Sequence, residues 1–128
     1  MFSERDKTII NRDFFEIIYM GDAIVELRSE NGDYWMIMEV QQWLSRRQRA
    51  SQTIPTVFYR VMHRHADSES LYEHIECISV LDCVLEILQH DDFRLKRHGR
   101  THFDELLEEE TAEEMYPSGG LEKRLMSK

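Results

Sequence analysis

An α+β fold is predicted for this chain: an antiparallel sheet of four or five strands, a helix packed on it, and an acidic C-terminal helix or tail. Three observations predict it. Residues 14–40 are rich in β-branched and aromatic side chains and are cut by turn dipeptides, the pattern of a three-strand meander. Residues 70–92 carry apolar side chains at helical spacing near candidate capping serines. Residues 104–114 hold seven acids and no base.

The first dozen residues are polar around Ile9 and Ile10 and lead toward the first strand. Phe14–Met20 reads as that strand, and Gly21-Asp22 supplies a turn. Ala23–Ser29 follows, with Ile24, Glu26 and Arg28 on one face and Val25 and Leu27 on the other. Asn31-Gly32 tolerates the positive φ angles of a tight hairpin, and Tyr34–Val40 returns as the third strand. Residues 41–53 have no clear period and read as a long connection, with a helical turn around Trp43-Leu44. Pro55 opens the next strand, Thr56–His63, where its missing N–H does least harm.

Residues 70–92 allow two readings. In one, Ser70 caps a single helix with an apolar stripe of Leu71, Ile75, Ile78, Leu81, Leu85 and Leu88. In the other, Leu71–Ile78 is a fifth strand paired to Thr56–His63, and Ser79 caps a shorter helix with Asp82 as its capping-box acid. Ser79 favours the second, because a mid-helix serine competes for backbone hydrogen bonds and an N-cap serine stabilises. The basic run Arg94, Lys96, Arg97, Arg100 suits a helix C-terminus, with Gly99 as the stop. Thr101 and Asp104 can cap one more helix, ending by Pro117.

A chain of 128 residues is most simply one domain, taken as a body over 1–100 and an acidic helix or tail over 101–128. The formal net charge is −9; residues 1–100 hold 13 basic and 17 acidic side chains, and residues 101–128 hold 3 and 8, so more than half the excess lies in the last 28. Such a body is repelled by nucleic acid at long range, and direct nucleic-acid binding is not expected. Cys77 and Cys83 form no disulfide framework, and no signal peptide or membrane span is visible, so a cytoplasmic setting is expected.

The stretch "AIVELRSENGDYWMI" resembles a motif of small uncharacterised αβ proteins of Gram-positive phages and mobile elements, in which a strand meets an Asn-containing turn and a Trp-bearing strand follows. The matching residues are Glu26, Leu27, Ser29, Asn31, Gly32 and Trp35; Asp33 stands where the motif has a turn histidine. "SVLDCVLEILQHDDF" resembles the C-terminal helix of the same proteins. The resemblance implies a small αβ protein of mobile-element origin and brings no activity with it.

No phosphate-binding glycine loop and no Gly-x-Ser-x-Gly elbow is present. His63 and His65 share a strand face, and His74 lies near them if the fifth strand forms, so these three are the candidate metal ligands; the plainer reading is solvated histidines. Asp33, Glu39 and Gln41 resemble the hairpin acids of metal-dependent nucleases, but the accompanying lysine is missing, which leaves exposed strand acids. Cys77 and Cys83 read as core or half-core thiols, since the acids around them oppose a thiolate. Arg46, Arg47, Arg49 and the 94–100 run can touch phosphates, with Trp43 as a stacking platform, or pair with the acidic segment or a second copy of the chain.

The function expected from sequence is non-enzymatic and cofactor-free. Asp104, Glu105, Glu108, Glu109, Glu110, Glu113 and Glu114 would imitate nucleic-acid phosphates and occupy the basic groove of a nucleic-acid-handling protein such as a nuclease, as a mobile-element inhibitor or regulator does. The alternatives are a small metal-dependent hydrolase using His63, His65 and His74, and a homodimeric structural module.

Overall fold

Ser3 starts the first helix. Its side chain accepts from the Asp6 amide while the Asp6 carboxylate accepts from the Ser3 amide, both at 3.0 Å, a reciprocal cap that nucleates α1 (Glu4–Ile10). This corrects the expectation of a polar lead-in to a strand: Ile9 and Ile10 are buried on the inner side of a helix. A computed structural model describes residues 1–43 and 54–115, with backbone alone for 113–115. The expected turn at Trp43-Leu44, and Arg46, Arg47 and Arg49, fall wholly or partly outside the described residues.

The elements after α1 are β1 (Glu16–Met20), β2 (Ile24–Arg28), β3 (Tyr34–Gln42), β4 (Thr56–Arg64), β5 (Tyr72–Cys77), α2 (Val80–Arg94) and α3 (His102–Met115). The five strands form one antiparallel sheet in the order β1-β2-β3-β4-β5. The α+β class and the N-terminal meander are therefore as the sequence predicts, with five strands. Short turns pair β1 with β2 and β2 with β3.

Side-chain parity sets the core. Val25 and Leu27 of β2, Trp35 and Ile37 of β3, and Val61 and His63 of β4 point inward and are fully buried. Helix α2 lies against β3, β4 and β5, supplying Val80, Cys83, Val84, Ile87 and Leu88, with α1 and α3 beside it. Leu106 of α3 is fully buried in the same cluster. Phe103 packs against it, whereas Leu107 is 42% exposed.

The ambiguous 70–92 segment is strand then helix. Ser79 is the N-cap of α2, accepting from the Asp82 amide at 3.1 Å. Helix α2 ends before Gly99: Leu95 is its C-cap, and Lys96 takes the left-handed turn at φ 52°. Thr101 and Asp104 bond reciprocally at the start of α3, as their spacing predicts. The β2–β3 connection is a three-residue loop: the Ser29 amide donates to the Asp33 carbonyl at 3.0 Å, the Gly32 amide to the Ser29 carbonyl at 2.9 Å, and only Gly32 has positive φ, at +93°.

Candidate functional site

The β2–β3 loop stands beside the C-terminal end of β4. Inward parity puts Leu27, Trp35, His63 and Tyr72 in one lateral row across four strands, through the pairs Leu27–Trp35, Trp35–His63 and His63–Tyr72. The His63 ring stacks on Trp35 with centroids 3.9 Å apart and planes at 13°. Asp33, two residues before Trp35, has the same parity and turns inward with it.

Two imidazoles meet one carboxylate here. Asp33 Oδ2 lies 2.6 Å from His63 Nε2 and 3.4 Å from His65 Nδ1. The other nitrogen of each ring faces the Tyr72 hydroxyl, at 2.6 Å for His63 Nδ1 and 3.4 Å for His65 Nε2. His63 and His65 are thus bracketed by Asp33 on one side and Tyr72 on the other. The remaining Asp33 oxygen accepts from the Ala66 amide at 2.9 Å, and the Asp33 amide donates to Asn31 Oδ1 at 2.9 Å, so the carboxylate has little freedom to turn.

Electrostatics set the protonation. Burial opposes ionisation of Asp33, but the bonds from His63 and the Ala66 amide outweigh it and hold the carboxyl below its usual range. Burial lowers the His63 pKa, and the Asp33 carboxylate offsets that only in part, so the ring is neutral near pH 7. His90 of α2, its ring 4.6 Å from that of His63, is pushed down to about 4 by burial and by His63. Neutral imidazoles and an ionised carboxylate are the forms that bind metals. His65 Nδ1 is buried without a hydrogen-bond partner despite its approach to Asp33, and His90 Nδ1 is likewise unpaired. A buried nitrogen without a partner costs free energy unless something else engages it.

The sequence-derived trio is therefore changed in one member. Asp33, His63 and His65 have ligand atoms all within 4.8 Å of one another. His74 follows a bulge in β5, where Glu73 pairs with Met62 and Ile75 with Val61, and its ring stands beside the cluster, 5.6 Å from that of His63, outside this tight group. Its ring turns to α2 and bonds Glu86 at 3.1 Å. The solvated reading fails for His63, which is fully buried, and the exposed-acid reading fails for Asp33, whose side chain is 5% exposed. Glu39 is also buried, at 4%, and its carboxylate meets the Met1 amine, far from any nuclease-like pairing with Asp33. Sequence reasoning weighed Asp33 with Glu39 and Gln41, not with the histidines, and missed Tyr72 and His90; the shared parity of Asp33 and Trp35 was the one available signal.

A second network ties the loop to α2. Trp35 Nε1 donates to Ser29 Oγ at 2.9 Å, and Ser29 Oγ donates to Asp91 Oδ1 at 2.8 Å. Asp91 Oδ2 accepts from the Glu30 amide at 2.9 Å. Ser29, Asn31, Gly32 and Trp35 thus hold the loop in the shape that presents Asp33.

The acidic residues are spread differently. On α3, Glu109 pairs with Arg12, Glu110 with Arg5, and Glu108 with Arg100 at 2.5 Å. Glu105 faces His102 at 3.3 Å, and Asp104 bonds Thr101. The side chains of Glu113 and Glu114 lie outside the described residues. Cys83 is buried and Cys77 half-buried, and burial raises both thiol pKa values, as core thiols require. No helix among the described residues is long and apolar enough to cross a membrane. No family model matches this chain, and neither a curated protein nor a solved structure does.

Proposed function

We propose that the protein binds a divalent first-row transition ion of the zinc class through Asp33 Oδ2, His63 Nε2 and His65 Nδ1. The observation that carries the reading is the bracketing of both imidazoles between one carboxylate oxygen and one hydroxyl. Bonds of about 2.0–2.1 Å to a tetrahedral ion place ligand atoms roughly 3.4 Å apart. The 3.4 Å separation of Asp33 and His65 already meets that spacing. His63 has to withdraw from Asp33 by about 0.7–0.8 Å, trading its proton for the ion. Tyr72 then supports the outer nitrogens of both rings, as groups behind metal-bound histidines commonly do.

Three protein ligands leave a coordination position free, and such a centre supplies an activated water for hydrolysis. His63 is closed off from solvent while the His65 side chain is 36% exposed, so access is from the His65 side. The test is zinc titration by calorimetry with the metal-stripped protein. One equivalent is expected to bind, and Asp33→Asn or His65→Ala to weaken it by about 10-fold or more. Equal zinc affinity in parent and both variants sinks the reading and leaves the network as a fastener between the loop and β4.

A second reading keeps the acidic helix as a contact for a basic protein partner. Glu108 and Glu109 are exposed, Arg100 is exposed and Arg12 half-buried, and exposed pairs such as Glu108–Arg100 contribute only about 0–1 kcal/mol. A partner's arginines can therefore displace them. Replacing Glu108, Glu109, Glu110, Glu113 and Glu114 by Gln should abolish salt-sensitive capture of a partner that the parent retains. Capture by both proteins alike makes the segment a solubilising surface only.

A further inference from the structure

Helix α2 brings one more charge to the centre. Arg94 is its last residue, one turn beyond His90 and on the same helix face. The His90 ring stands 4.6 Å from that of His63 and 6.2 Å from that of His65. Arg94 therefore leaves the helix on the face that His90 turns to the cluster. Its neighbours are occupied: Arg97 binds Glu30 at 2.5 Å, and Arg100 binds Glu108 at 2.5 Å. Among the described residues, Arg94 has no carboxylate partner and is exposed to solvent.

We infer that Arg94 makes the metal centre an oxyanion site, in which a phosphate-class group takes the free coordination position and spans the ion and the Arg94 guanidinium. The inference rests on the metal reading above. The charges favour it: a divalent ion with one ionised carboxylate and two neutral imidazoles carries one net positive charge, and Arg94 adds another. In a chain of net charge −9, that is a local reversal of sign suited to a dianion. A guanidinium offers forked donors to two oxygens of one tetrahedral group, while a third oxygen remains for the ion.

The test uses the full chain loaded with cobalt(II), whose visible absorption reports the coordination of the ion, titrated with methylphosphonate and separately with acetate. Methylphosphonate is expected to change the spectrum at concentrations where acetate has no effect. Arg94→Ala should weaken methylphosphonate binding by about tenfold or more, with cobalt affinity unchanged, and Arg94→Lys should fall between. Unchanged methylphosphonate affinity in Arg94→Ala overturns the inference, and so does acetate matching methylphosphonate, while both leave the metal reading standing. A chain that binds no cobalt overturns the two together.

Discussion

Gly32 is held at φ +93°, where a side chain collides with its own backbone. A Cβ there would meet only Ala66 Cβ at 3.5 Å, ordinary contact, so the cost of substitution is backbone strain. Gly32→Val is expected to lose about 1–3 kcal/mol in a urea titration, through strain in the loop that presents Asp33. A variant as stable as the parent would place the loop's tight turn elsewhere. Leu106 and Leu107 make a sharper pair, since they are adjacent and identical in chemistry. Leu106 is fully buried and Leu107 is 42% exposed. Leu106→Ala should cost about 2–5 kcal/mol, and Leu107→Ala no more than about 0.5 kcal/mol. Equal costs would mean that α3 is rotated from the orientation described.

At the scale of elements, the helices are specified by their caps and the strands by parity. Ser3 with Asp6, Ser79 with the Asp82 amide, and Thr101 with Asp104 each satisfy amides that would otherwise be orphaned in the first turn. Ser3→Ala should destabilise the chain by about 1 kcal/mol in the same titration; no change would mean that α1 does not depend on its cap. Helix α3 is held by Leu106 and Phe103 beneath a layer of surface ion pairs. Truncation at residue 100 therefore removes a core side chain as well as the acids, and charge-neutral substitution is the cleaner probe of the acidic face. The bulge in β5 acts at this scale too. One extra residue sends His74 to Glu86 and leaves Tyr72 beside His63.

For the whole molecule, the core keeps protons that the unfolded chain would release in alkali. Burial, and then the neighbouring Cys77, push the Cys83 thiol far above the ordinary range, and burial with the Glu26 bond pushes Tyr34 up to about 12. The unfolded values are about 8.5 for a thiol and about 10 for a phenol. Folded values above unfolded ones mean stability that is complete below about pH 8.5 and lost as pH rises beyond it. The urea midpoint should therefore fall between pH 8 and pH 10.5. Cys83→Ala, though less stable throughout, should fall less steeply, and parallel slopes would remove Cys83 as a cause.

The sequence by itself determined what depends on neighbours in the chain. The meander, an antiparallel sheet of four or five strands, the preference for a break at Ser79 and the capped start of α3 all follow from alternation, turn chemistry and capping within a few residues of each site. Helix α1 was legible on the same terms, since Ser3 and Asp6 form a capping box of ordinary spacing; the polar composition of residues 1–12 obscured it. Half of the site was legible as well, because His63 and His65 sit two apart on one strand face. What the tertiary structure alone decided is which groups meet across long separations. Asp33 reaches His63 across 30 residues and Asp91 reaches Ser29 across 62. The Glu109–Arg12 contact bridges 97. Such pairings depend on strand register, on one bulge and on how α2 and α3 lie over the sheet. Register and docking angle are set by the packing of Trp35, Ile37, Val61, Ile87 and Leu106 together, and no local pattern in the chain encodes that joint fit.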